Sequence, residues 1–108
     1  MKLEAYKHQL DNNPERWLKR AGYAMIQSRE SNQASFVRRL SADFYPRFHI
    51  YLDQRMVGNK EIIIINLHLD QKKPGYAGQN RHNAEYDGEV VENEAKRLAQ
   101  YLHPANLS

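Results

Sequence analysis

A chain of 108 residues, 41% apolar and 27% charged, has room for one hydrophobic core and the composition of an ordinary globular domain. It contains no cysteine, which excludes disulfides and thiolate metal sites, and no apolar run near the roughly 18 residues of a membrane span. The formal charge of +3 is uneven: residues 1–55 carry 10 Lys/Arg against 6 Asp/Glu, whereas residues 56–108 carry 6 against 7, so any attraction for nucleic acid belongs to the first half.

The first residues, Met1 to Lys7, have no apolar signal-peptide core, so the expected location is the cytoplasm, without membrane association. Leu3, Tyr6 and Leu10 fall at helical spacing and predict a short helix over residues 2–11. A second helix is punctuated by Asn13 as cap, Pro14 at the first helical position and Gly22 just past the end, with Trp17, Leu18 and Ala21 facing the core. Tyr23 to Ser28 and Ala34 to Leu40 read as strands around a Ser31-Asn32-Gln33 turn. After a loop ending at Pro46, Phe48, Ile50 and Leu52 alternate with polar residues, as do Ile63, Ile65, Leu67 and Leu69. Gly58-Asn59 between these runs is a two-residue hairpin turn. A last helix is expected from an Asp87 cap to before Pro104, with a Val91, Ala95, Leu98, Leu102 stripe and a solvated acidic start from Glu85 to Glu94.

If Gly58 and Asn59 are the central turn residues, paired numbers across the hairpin sum to 117. Phe48 then faces Leu69, Ile50 faces Leu67 and Leu52 faces Ile65, so the apolar faces match. The opposite face carries Arg47 against Asp70, His49 against His68 and Tyr51 against Asn66. Opposed Cβ atoms lie about 4.5–5.5 Å apart, close enough for two imidazoles to share a metal, a phosphate or a proton relay. The plainer alternative is a solvent-facing polar side of the sheet with an Arg47–Asp70 ion pair. Residues 71–86 show no periodic pattern; with Gly75 and Gly78 for pliancy and Tyr76, Arg81, His82, Glu85 and Tyr86, they form either a lid over this face or a surface loop.

Four chemistries fit parts of this constellation. His68-Leu69-Asp70 with His49 or His82 gives a two-His-one-carboxylate ligand set suited to iron or zinc. Phe48-His49-Ile50-Tyr51-Leu52 and Leu67-His68-Leu69-Asp70 resemble the paired strand motifs of the two-histidine phosphoesterases, a likeness that implies His49 and His68 as general acid and base; Tyr51 and Asp70 stand where that family has Thr or Ser. Asp70-Gln71-Lys72 fits half of a nuclease motif, for which Asp53 lies roughly 20 Å too far along the strand and Asp43 is the nearer substitute. Finally, Arg29, Arg38, Arg39, Arg47 and Arg55 with Tyr45, Tyr51 and Tyr76 offer charge and stacking faces for RNA or DNA. The order of elements is similar to small RNA-binding domains, the HicA-type toxins and double-stranded-RNA-binding-like folds among them, although the Gly-Ser-His turn of those toxins is not present. The stretches Tyr45-Pro46-Arg47-Phe48-His49, Asn66 to Pro74 and Glu85 to Glu92 resemble short bacterial hypothetical proteins, which imply no activity.

The sequence therefore predicts an α+β domain spanning residues 1–108, an antiparallel sheet of three or four strands with N- and C-terminal helices on one face. The first functional expectation is a nucleic-acid-associated binding module, most of all for RNA, using Arg38, Arg39, Arg47, Tyr51, Lys72 and Lys73. The second is a small metal-dependent or histidine acid–base hydrolase with His49, His68 and Asp70 as catalytic residues, and His49, His68, Asp70 and His82 as ligands if a divalent metal is its cofactor. The third is an interaction module that forms a homo-oligomer.

Overall fold

The computed structural model describes residues 1–27, 34–71, 84–85 and 88–106. Its elements are β1 (Lys2–Tyr6), a 3-10 turn (Lys7–Leu10), α1 (Pro14–Arg20), β2 (Ala24–Gln27), β3 (Ala34–Arg39), β4 (Arg47–Val57), β5 (Lys60–Asp70), β6 (Ala84–Glu85) and α2 (Glu89–Ala99). The strands form one antiparallel sheet in the order β1-β5-β4-β3-β2, with β6 pairing the far end of β5. The fold is thus α+β with an antiparallel sheet, and its strand count exceeds the three or four expected. No helix among the described residues is long and apolar enough to cross a membrane.

The β4–β5 hairpin organises the sheet. It runs from Arg47↔Asp70 to Val57↔Lys60 in the register that the two apolar alternations require. Gly58 takes a φ of +63°, a left-handed conformation that glycine adopts without steric cost, as the first central position of a type II′ turn demands. The face bearing Phe48, Ile50, Ile63, Ile65, Leu67 and Leu69 is buried under both helices, which contribute Trp17, Leu18, Val91, Ala95 and Leu98 to the same core. Trp17 Nε1 donates to the Tyr101 carbonyl at 2.9 Å, tying α1 to the end of α2.

The helix predicted over residues 2–11 is instead β1 followed by the 3-10 turn. The edge of β5 explains this: Lys2 to Tyr6 pair with Asn66 to Ile62, which satisfies backbone groups that an edge would leave open. Leu3 and Ala5 then alternate into the core at period 2, and only Leu10 reaches it from the 3-10 turn. The N-terminal helical layer is α1 alone. It begins as predicted: Asn13 Oδ1 accepts from the Arg16 amide at 3.1 Å with Pro14 next, and Gly22 follows the helix at φ +100°.

The acidic run at the start of α2 also needs correction. Glu94 is buried, not solvated. Tyr23 Oη donates to it at 2.5 Å, Arg97 donates at 2.7 and 2.9 Å, and Arg38 at 3.4 Å. Arg97 also donates to the Ala21 carbonyl at 2.7 Å, so one carboxylate joins α2 to the end of α1 and to β3. Burial, and then the Glu94 charge, push the Tyr23 phenol far above its ordinary range. The N-cap of α2 is Gly88, without a side-chain cap, in place of the expected Asp87; the Ser31-Asn32-Gln33 turn lies outside the described residues.

Candidate functional site

Alternation along β4 and β5 sends Arg47, His49, Tyr51, Asn66, His68 and Asp70 to the face away from the helices. A polar face of that kind is ordinarily wet, yet Asn66, His68 and Asp70 are buried. The Asp70 side chain is 0% exposed and that of His68 7%, while His49 keeps 20%. The plain solvent-facing alternative therefore does not describe this part of the sheet.

Asp70 is the hub. Its Oδ2 lies 3.0 Å from His49 Nδ1 and accepts from Arg47 Nε at 3.3 Å, while Oδ1 lies 2.9 Å from His68 Nε2. The two imidazole centroids are 4.7 Å apart with their planes tilted by 49°, and Tyr51 stands edge-on to both rings. Burial works to raise the Asp70 pKa, but the hydrogen bond from His49, the close approach of His68 and the charge of both rings outweigh it and hold the carboxyl well below its usual range. An ionised carboxylate only accepts. His49 Nδ1, which makes the hydrogen bond, is therefore the nitrogen of that ring that carries hydrogen; His68 Nε2 approaches Oδ1 without the alignment of a hydrogen bond. When the His49 ring is neutral its lone pair lies on Nε2. His49 Nε2 is shielded from solvent and has no hydrogen-bond partner among the described residues.

A small cavity of about 90 Å³ opens beside the pair, lined by Met1, Lys2, Tyr51, Asn66, Leu67 and His68. Asn66 is held there by donating to the Tyr51 carbonyl and to Asp53 Oδ2, both at 3.1 Å. His49, His68 and Asp70 each offer a ligand atom, all within 4.8 Å of one another, so the same three residues have the spacing of a metal ligand set.

The other residues singled out by sequence are distributed differently. Arg38 points to the helix side, over the Phe48 ring at 6.0 Å and towards Glu94, whereas Arg39 lies on the histidine side. Neighbouring residues of a strand face opposite ways, so the two do not make one basic patch. Arg47 is engaged by Asp70 and stacks over Tyr45, with the guanidinium carbon 4.8 Å from the ring centre. Asp53 lies six residues from Arg47 on β4 and pairs with Asn66, and Asp43 sits in the exposed loop before β4. His82, Lys72 and Lys73, and the idea of a lid formed by residues 71–86, fall outside the described residues save for Gln71 and the β6 pairing.

Two features of the site were not read from sequence. One is the convergence of both imidazoles on Asp70, which uses the diagonal contact from Asp70 to His49 across the hairpin as well as the same-strand contact to His68; the register implied both, but direct opposition drew attention to Arg47. The other is the pairing of Arg39 with Phe44, an aromatic in a segment with no periodicity to mark it. No protein-family model matches the chain, and neither a curated protein nor a solved structure does. The reading of the site rests on its geometry.

Proposed function

We propose that this chain is a small acid–base hydrolase of phosphate esters, with His49 and His68 as the proton-transferring pair and Asp70 as the carboxylate that orients them. One observation carries this reading: a single buried, ionised carboxylate contacts both imidazoles, at 3.0 and 2.9 Å. The hydrogen bond to His49 Nδ1 fixes which nitrogen of that ring holds the proton and which presents a lone pair. His49 Nε2 is suited to take a proton from an attacking hydroxyl or water. His68, in its protonated form, delivers one to the leaving oxygen from the cavity side. Arg47 supplies a guanidinium beside the pair, where charge accumulates on a phosphoryl group in the transition state.

The convergence of three donor atoms supports a second reading, a divalent metal held by His49, His68 and Asp70. Charge balance favours the first. Arg47 already shares the Asp70 charge, so a dication on two neutral rings would leave excess positive charge around the buried Asp70 and His68 side chains.

Hydrolysis of bis(p-nitrophenyl) phosphate in the presence of EDTA tests the proposal. The native chain should turn the ester over with a bell-shaped pH dependence, and His49→Ala or His68→Ala should lower kcat by about 10²–10⁴-fold. A rate no higher than buffer, or one unchanged in both variants, would remove the acid–base reading.

A further inference from the structure

Beyond the imidazoles, the same sheet face carries an arrangement that the acid–base pair does not use. Arg39 and Arg47 are directly opposed across β3 and β4. Like charges in that position repel. Arg47 is compensated by Asp70, but Arg39 has no carboxylate partner among the described residues: it donates to the Ala42 carbonyl at 3.4 Å and lies over the Phe44 ring, 5.1 Å from its centre. Phe44 itself is 68% exposed, the barest of the large exposed apolar side chains among the described residues. Two arginines paired across the sheet, one of them without a carboxylate partner among the described residues, and the exposed Phe44 ring that this one lies over thus share one end of the histidine face. His49 is two residues from Arg47 along β4, roughly 7 Å.

An anion reached by both guanidiniums offsets the uncompensated charge of Arg39 and gains charge-assisted hydrogen bonds. A flat ring on Phe44 covers apolar surface that is otherwise in water, and stacking of this kind tolerates any base. Phosphate and planar ring at adjacent positions are the repeating chemistry of a nucleic-acid strand. A duplex offers phosphates but keeps its bases stacked on one another, so the exposed ring selects an unpaired strand.

We infer that Arg39, Arg47 and Phe44 form the recognition lip of the His49/His68 site, and that its substrate is single-stranded nucleic acid, with one phosphate between the guanidiniums and one base on Phe44. This rests on the acid–base reading for the chemistry and on the lip alone for binding. It also narrows the basic surface: Arg38, turned to Glu94, takes no part.

Fluorescence polarisation of a labelled eight-nucleotide RNA and its DNA counterpart, with a hairpin duplex and a mononucleotide as competitors, tests the inference. The native chain should bind the single strand with affinity that falls as salt rises. Arg39→Ala should reduce the slope of log affinity against log salt by about 0.7, the loss of one phosphate contact on a single strand. Phe44→Ala should weaken binding about 5- to 150-fold, the range for removing one base-stacking side chain. Lys19→Ala removes the same charge from the exposed end of α1 and should leave affinity within about twofold. Circular dichroism of each variant confirms folding. Equal weakening by Arg39→Ala and Lys19→Ala, tighter binding of the duplex, competition by the mononucleotide as effective as by the strand, or no binding at low salt would each overturn the lip. Its failure is separable from that of the catalytic reading. Ester hydrolysis without strand binding removes only the lip, and strand binding by a chain that hydrolyses nothing leaves the lip standing and removes the chemistry.

Discussion

Asp70 concentrates the physics of the site in one side chain. It is fully buried, carries its charge, and spends it on two imidazoles and a guanidinium. Asp70→Asn should destabilise the fold by about 3–5 kcal/mol near neutral pH, because a buried partner is removed from several charged or polar groups at once. The pH dependence has a definite sign. The folded-state pKa of Asp70 is depressed, so its contribution is fully present above the unfolded carboxylate value of about 4 and is lost as pH falls towards the lower folded value. Urea denaturation of both proteins across pH should show the gap between them widest near neutrality and narrowing below about pH 4. A gap that grows on acidification would mean that Asp70 is protonated in the fold.

At the scale of elements, the hairpin was legible because two independent signals agreed. The period-2 alternations fixed the faces, and Gly58-Asn59 fixed the register, so the opposition of His49 and His68 followed from arithmetic. The first helix predicted was not legible for the converse reason. Leu3, Tyr6 and Leu10 fit a helical template, but Leu3 and Ala5 equally fit a strand, and the open edge of β5 decided between them. Glu94 was misread because an acidic residue in a run of acids gives no local sign of a buried partner 71 positions away, Tyr23. Glu94 adds to the apolar docking of α2 through Tyr23 and Arg38, and Arg97 does so through the Ala21 carbonyl. Tyr23→Phe should cost about 1.5–3 kcal/mol, the worth of a hydrogen bond to a charged group, measured as a lowered urea midpoint with an unchanged slope. An effect below about 0.5 kcal/mol would show that Glu94 is held by the arginines alone.

For the whole molecule, the fold divides its labour between two faces of one sheet. The helices cover the apolar face, which supplies the core, and the opposite face carries the His49, His68 and Asp70 cluster. Sequence reading found that second face and most of its residues, but could not tell a wet surface from a buried cluster, since burial there depends on tertiary covering and not on the strand pattern. The acid–base and metal readings of the cluster diverge in solution. Metal binding requires deprotonated ligands, so zinc affinity should fall on acidification in either case. If His49 and His68 act as acid and base, zinc occupies their lone pairs and inhibits ester hydrolysis, and EDTA leaves the rate intact. Activation by zinc and loss of the rate in EDTA, followed together by calorimetry and turnover, would transfer the site to the metal reading.

The central claim is that the ionised Asp70 carboxylate sets the proton position on His49, and nitrogen-15 NMR of the imidazoles measures this directly. In the neutral state the native chain should show His49 protonated on Nδ1, the less common tautomer. In Asp70→Asn that preference should be lost, since an amide can donate as well as accept. His49 protonated on Nε2 in the native chain would place its lone pair against Asp70 and contradict the acid–base arrangement at its origin.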